Sequence, residues 1–447
     1  MKIILKKIEA PKVDETCQVI LTDETMRERK GKVLKLKKEA NLDYLVVYSD
    51  LEDGSNFEYL TGFLTRFEEG LLVIGPEKNY LITGNENVDK ASISRIEVEG
   101  ILYSPFSLPD QPDMSNKSLT DIFIDIGMKN KRIGVCGWKK IEKGFDLPSF
   151  VIDSLREVSE DLVNATALFI DPEKGARITN NANEIAHYYY GASLASKGIL
   201  LAMEKIKVGM KEKELAQYLN NEGQRGSVIT ICATGKRFEN ANIYPSEKEI
   251  RKGDIISLTV GYKGGLQSRC CFVADSIDDV SENNKGYLEK LAIPYFKAIV
   301  SWLEKVKVGI SGGEMFDLAE ELLPSNIYNR KLNPGHLIAD EEWLASPIYK
   351  NSEILLQSGM LIQFDILTSL TGMSGVSVEG GIALADEKLQ QEIKQQYPEL
   401  YSKFMETRKY MIETLGIDLH PDVLPMGNAS GYFKPFLLTD EALVKER

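Results

Sequence analysis

Gly253-Asp254-Ile255-Ile256-Ser257-Leu258-Thr259 decides the fold, because the chain carries its pattern twice. The second form is Gly359-Met360-Leu361-Ile362-Gln363-Phe364-Asp365. In each, a turn glycine leads into a strand that alternates apolar and polar residues. Ile256, Leu258 and Val260 point one way, as do Ile362, Phe364 and Ile366; Ser257, Thr259, Gln363 and Asp365 point the other. The segments ahead of these strands repeat as well. Glu204-Lys205-Ile206-Lys207-Val208-Gly209 matches Glu304-Lys305-Val306-Lys307-Val308-Gly309, each closing a helix, with Glu214 or Glu314 opening the next. Repetition at this scale predicts two similar α+β halves packed about a pseudo-dyad. Their polar strand faces would line one shared cleft.

Upstream of the repeat, Asn181 with Glu184 has the spacing of a capping box. Ile185, Tyr188, Ala192, Ala195, Ile199 and Ala202 follow at helical spacing and predict one buried face. His187 lies off that stripe and reads as solvated. A polar connector runs from Asp171-Pro172 to Asn183. Before it, the chain alternates a charged helix, Met26 to Ala40, with short apolar strands at Tyr44 to Tyr48, Gly70 to Ile74, Tyr80 to Ile82, Arg132 to Val135 and Ala167 to Phe169. That pattern predicts an α/β unit with a buried sheet. At the other end, Leu415 to Phe436 is rich in proline, glycine and aromatics. It is too apolar for a disordered linker and is expected to pack on the cleft rim or on a second subunit.

The 447 residues exceed one ordinary domain. With 54 basic against 67 acidic side chains, the net charge of −13 argues against a nucleic-acid partner. The basic run from Arg27 to Lys38 is broken by Glu28, Val33, Leu34 and Leu36, so it reads as the wet face of a helix. No apolar run is long enough to span a membrane, and the opening MKIILKKIEA lacks the apolar core of a signal peptide. The five cysteines, Cys17, Cys136, Cys232, Cys270 and Cys271, form no CxxC pair, which suits reduced thiols and a cytoplasmic location.

Function is sought in the cleft. Thr259 and Asp365 occupy equivalent positions of the two halves, and the strand Val376-Ser377-Val378-Glu379 puts Glu379 on the polar side. His336 follows Asn333-Pro334-Gly335, a glycine turn able to present an imidazole. His, Asp and Glu from separate strands suit a metal or an acid–base set. The same residues also fit a half-wet sheet face that meets solvent.

The order of motifs resembles the creatinase, aminopeptidase P and prolidase family, the pita-bread metallopeptidases. Leu42-Asp43-Tyr44-Leu45-Val46-Val47 and Phe57-Glu58-Tyr59-Leu60-Thr61-Gly62-Phe63 are similar to its amino-terminal domain, and Arg177-Ile178 through Glu184-Ile185 to the start of its catalytic domain. The Gly253-Asp254 strand, Pro334-Gly335-His336, Gly359-Met360 and Val378-Glu379 fall in family order. The resemblance implies an N-terminal α/β creatinase-like domain over 1–175 and an α+β pita-bread C-terminal domain over 176–447, with a homodimeric state.

It also implies two divalent metals on two aspartates, a histidine and two glutamates. Carried over position by position, the first aspartate falls on Thr259 and the second on Arg269, or on Cys270 with a different gap. The histidine is His336, the first glutamate is replaced by Asp365 and the second is Glu379. One substrate-side histidine should lie where the chain reads Asn242-Ile243-Tyr244-Pro245, the other where it reads Glu342-Trp343-Leu344-Ala345-Ser346-Pro347. Two ions bring +4, and the surviving carboxylates cannot balance that charge in a partly buried site. The leading expectation is therefore a degenerate centre with no metal, in which the Arg269 guanidinium meets Asp365 and Glu379. The cleft would then bind a peptide or small molecule without catalysis, with Trp343 as a wall. The alternatives are hydrolysis with one Mn, Zn or Co ion on His336, Asp365 and Glu379, which requires Arg269 to point away, and metal-free C–N hydrolysis with Tyr244 in the place of a histidine. A Cys270 or Cys271 nucleophile beside Arg269 is set against a buried strand role.

Overall fold

The computed structural model describes residues 1–447 apart from 66, 115, 116 and 221. The chain divides into two units: Leu21–Ile178, and Met1–Ile20 together with Thr179–Arg447. The first unit was expected to begin at residue 1. Instead strand β1 (Ile3–Lys7) pairs antiparallel with Glu441–Lys445, near the end of the chain, and so belongs with the other unit.

The unit Leu21–Ile178 holds a six-stranded sheet of β2 (Tyr44–Ser49), β3 (Gly70–Ile74), β4 (Asn79–Thr83), β5 (Glu99–Leu102), β6 (Ile133–Cys136) and β7 (Leu162–Asn164), in the order β5-β4-β3-β2-β6-β7. β2, β3 and β6 are buried along their whole length, as their unbroken apolar runs require. Val46, Tyr48, Leu71, Val73, Ile133 and Val135 pack with Leu119, Phe123, Val151 and Leu155 of two covering helices. One expectation fails here: Ala167–Ile170 is a helical turn, and the strand is the preceding Leu162–Asn164. A three-residue apolar run carries no period that separates the two.

In the other unit, a helix spans Ala182–Lys205 behind a capping box, in which Asn181 accepts from the Glu184 N–H at 2.9 Å and Glu184 accepts from the Asn181 N–H at 3.0 Å. The main sheet contains β8 (Ile231–Thr234), β9 (Ile255–Tyr262), β10 (Gly265–Phe272), β11 (His336–Leu337), β12 (Leu361–Phe364) and β13 (Ser377–Leu384), in the order β11-β12-β13-β10-β9-β8. β14 (Val423–Met426) adds beside β13, and β15 (Glu441–Lys445) completes the pair with β1. The pairings between these named strands are antiparallel.

The internal repeat extends to the hydrogen bonds. Gly209 and Gly309, at φ of 89° and 84°, turn the chain after the two matching helices. The Gly209 N–H donates to Ile250 O at 2.9 Å, and that of Gly309 to Leu356 O at 2.8 Å. Three residues beyond each acceptor come Gly253 and Gly359, again at positive φ of 87° and 91°, and each opens its strand. Positive φ at the same four places explains why glycine recurs there.

The tail does not stay at a rim. Beyond β14 it lies on its own sheet, where the Phe272 N–H donates to Pro435 O at 3.0 Å and the Leu437 N–H to Phe272 O at 2.9 Å.

Candidate functional site

The β9–β10 hairpin sets the site because its turn fixes which residues face each other. Tyr262 and Gly265 close a two-residue turn at Lys263-Gly264, with Gly264 at φ 86°. A side chain at Gly264 would run into the Tyr188 backbone of the long helix, so both the turn and the packing demand glycine. From that turn the register runs Thr259 opposite Ser268 and Leu258 opposite Arg269. On the next strand Ser268 is opposite Glu379, Arg269 opposite Val378 and Cys270 opposite Ser377.

Directly opposed residues share a face. The front face therefore carries Thr259, Ser268 and Glu379 in one row, with Ser257, Cys270 and Ser377 in the next. β12 continues it, with Gln363 opposite Gly381 on β13 and opposite His336 on β11. The expected alternation onto one polar side is met for Ser257, Thr259, Gln363 and Glu379.

Arg269 is not on that side, which corrects the leading expectation. It stands on the back face with Leu258 and Val378, fully buried. Its Nε donates to Tyr432 O at 2.9 Å, Nη1 to Ser268 O at 2.7 Å and Glu379 O at 2.9 Å, and Nη2 to Gln267 Oε1 at 3.2 Å and to Ala429 O. All five N–H donors are spent on neutral acceptors, four of them backbone carbonyls. Its contact with Glu379 is to the carbonyl, not the carboxylate. Burial lowers its pKa to about 10. Arg269 ties β10, β13 and the tail together; it does not plug the cleft.

At the front, Thr259 and Ser268 share a hydrogen bond at 2.8 Å, and Ser377 donates to Ser268 at 3.1 Å. Where the resemblance expects the first aspartate stands the Thr259 hydroxyl, satisfied by its neighbour Ser268. The position opposite Glu379 is Ser268, one residue before Arg269 and two before Cys270. Of the two positions offered for the second aspartate, the register puts Cys270 on the front face and Arg269 on the back.

His336 is fully buried in β11. Its ring stacks on Trp343, with centroids 4.1 Å apart and planes 16° from parallel. Nδ1 lies 3.2 Å from Leu337 O. A carbonyl only accepts, so Nδ1 carries a proton and Nε2 is the ring nitrogen turned toward the acidic groups. Nε2 lies 3.0 Å from Glu342 Oε1 but makes no hydrogen bond. Donor atoms of His336, Glu342 and Glu379 all fall within 4.8 Å of one another. Asp365 borders them: burial holds its carboxyl above the usual range, the His336 charge opposes that rise and Glu342 adds to it. The Glu379 carboxyl is pushed well up by burial, then by Asp365 and Glu342. An imidazole nitrogen with carboxylate oxygens suits one divalent ion. The hydroxyls of Thr259 and Ser268 do not supply the charge for a second.

The remaining candidates stand apart. Tyr244 is 59% exposed and only its backbone carbonyl is engaged, by Arg237. Among the described contacts none joins its side chain to this cluster. Cys270 and Cys271 are buried, and burial holds the Cys270 thiol well up and that of Cys271 at about 12, which suits strand packing rather than nucleophilic attack. His187 is half-buried rather than solvated, with Nδ1 2.6 Å from Val19 O. Glu342 had no distinguishing signal, because Asp340-Glu341-Glu342 reads as an ordinary acidic loop.

Comparison with known proteins places this geometry. Residues 188–387 match metallopeptidase family M24, and residues 29–169 match the creatinase/prolidase N-terminal domain. An Xaa-Pro dipeptidase of Pyrococcus horikoshii is 25% identical over 223 residues, 48% of this chain and 62% of that protein. The chain thus matches less than two thirds of that relative's length. A solved Xaa-Pro dipeptidase from Bacillus anthracis superposes with a TM-score of 0.63 at 19% identity, covering 81% of this chain and 96% of its own. The prolidase from Pyrococcus horikoshii gives 0.62 at 20%, covering 80% and 95%. The shared fold is the pita-bread architecture of these proteins behind a creatinase-type N-terminal domain.

Proposed function

The chain belongs to the creatinase, aminopeptidase P and prolidase family, and we propose that within it the cleft has given up two-ion peptide hydrolysis and binds a peptide or small molecule instead. The observation that carries this reading is the hydroxyl chain at Thr259, Ser268 and Ser377. A two-metal hydrolase clamps the attacking and leaving oxygens between its ions. Both ions need carboxylates from β9 and β10, and those strands offer none on the front face. Glu342, Asp365 and Glu379 together bring −3, enough for one divalent ion and short of two.

Trp343 supports the binding role. It is half-buried and stacked on His336, so it offers a flat apolar surface at the rim of the polar face. The homodimeric state implied by the resemblance and the cytoplasmic location read from the cysteines stay part of this proposal. Among the described residues no helix is long and apolar enough to cross a membrane.

One observation favours a second reading, hydrolysis of a C–N bond with a single metal on His336, Asp365 and Glu379. Arg269 lies on the back face, so no guanidinium competes for those carboxylates. In that reading the three side chains would hold the metal, which supplies Lewis acidity and an activated water. The experiment is an assay of Xaa-Pro dipeptides with Mn²⁺, Zn²⁺ or Co²⁺ present, run beside calorimetric binding of the same peptides. Binding without turnover is the outcome expected. Turnover that disappears in His336→Ala would replace the binding reading with the single-metal one.

A further inference from the structure

We infer that Glu342 is a metal ligand, and that His336, Glu342 and Glu379 form a single-ion site for a divalent first-row transition metal. This rests on the reading above that the cleft does not host two ions. Glu342 stands where the resemblance expects a substrate-side histidine, so it lies outside the ligand set that the resemblance implies.

Three observations converge. The donor atoms of the three residues lie within 4.8 Å of one another. Donors on a tetrahedral ion with bonds of ~2.1 Å sit about 3.4 Å apart, so side-chain shifts of about an ångström or less per residue close the shell. The His336 side chain is wholly buried, and Nε2 is aimed at the acidic pair with no hydrogen-bond partner. With a proton on Nδ1, Nε2 is the nitrogen that faces a carboxylate oxygen, at 3.0 Å. A cation placed between them takes a bond from the carboxylate and, with Nε2 unprotonated, one from the imidazole.

The loop that carries Glu342 is built rather than loose. Leu337 N–H donates to Ala345 O at 2.6 Å and Leu344 N–H to Leu337 O at 2.9 Å, which closes the loop at its base. Ser346 Oγ donates to Gly335 O at 2.7 Å and ties the far side back to the turn ahead of His336. Glu342 is therefore held near Nε2 by backbone hydrogen bonds, and Trp343 fixes the imidazole plane by stacking. The Nδ1–H to Leu337 O contact orients the ring in the way that outer hydrogen bonds orient ligating histidines. The donor set, one imidazole and two carboxylates with Asp365 alongside, suits Zn²⁺, Co²⁺ or Mn²⁺ better than Mg²⁺ or Ca²⁺, which favour all-oxygen shells.

The test is a Co²⁺ titration of the full chain after chelator treatment, read by the visible d–d absorption and by quenching of tryptophan fluorescence. One Co²⁺ per chain is the expected stoichiometry, with quenching lost in Trp343→Phe while the absorption remains. Glu342→Gln should weaken Co²⁺ about 10- to 100-fold, Glu342→Asp less, and the neighbouring Glu341→Gln not at all. Glu342→Gln binding Co²⁺ as tightly as the parent, with an unchanged spectrum, overturns the assignment. No Co²⁺ bound and no Xaa-Pro hydrolysis would sink this inference while leaving the peptide-binding reading intact. Two Co²⁺ bound with hydrolysis would overturn that reading itself.

Discussion

The two faces of the β9–β10–β13 sheet treat their polar groups in opposite ways. On the back, Arg269 is buried with each of its N–H donors matched to an acceptor, so a charge without a carboxylate partner is tolerated by hydrogen bonds alone. On the front, His336 Nε2 faces Glu342 without a hydrogen bond, and Asp365 and Glu379 are crowded into a half-buried site. The back face is complete within the chain. On the front face the hydroxyls of Thr259, Ser268 and Ser377 satisfy one another, while His336 Nε2 and its acidic neighbours do not, and such polar clusters are candidate functional sites.

Arg269→Asp tests the contrast with the largest effect. It places a carboxylate against the carbonyls of Ser268, Glu379, Ala429 and Tyr432, and should cost about 3–5 kcal/mol, the scale of breaking a buried charged network. Thermal unfolding reads it, and an unchanged Tm would mean that the guanidinium is not the clasp described. A front-face change should do the reverse of harm. Thr259→Asp with Cys270→Asp puts acidic residues on the front face where the resemblance expects two aspartates and should raise bound Mn²⁺ from one to two per chain by elemental analysis. A count that stays at one would break the register argument.

A subtler effect is expected from Glu379→Gln in chelator-treated protein. Removing one crowded carboxylate should raise Tm by about 2–4 °C, the shift that ~1 kcal/mol brings in a larger domain. A lower Tm would show that the front face is as settled as the back. The smallest change is in reactivity. Cys270 faces front and Cys271 back, yet both are buried, while Cys17 is exposed. A thiol reagent on the folded chain should modify Cys17 alone, as peptide mapping would show; modification of Cys270 would mean that the front is open beneath Ser268 and Ser377.

Much of this molecule was legible in the sequence. The glycines at 209, 253, 309 and 359 mark a repeat because each needs positive φ, and glycine is the residue that meets that need cheaply. Alternation in β9 and β12 placed Thr259, Gln363 and Asp365 on the polar face, since strand period is a local property. The side of the sheet that Arg269 occupies was not legible. It depends on a turn two residues long, and a one-residue slip in that count moves every side chain to the other face. Glu342 was hidden for another reason: loops carry no period, and its approach to His336 comes from the Leu337–Ala345 pairing, a contact that composition does not encode.

The central claim is that this family site has room for one ion and not two. Metal per chain, measured by elemental analysis after dialysis against excess Mn²⁺, Zn²⁺ or Co²⁺, tests it most directly. The account predicts one equivalent, lost in His336→Ala, with no cleavage of Xaa-Pro dipeptides by the loaded protein. Two equivalents with cleavage would contradict it.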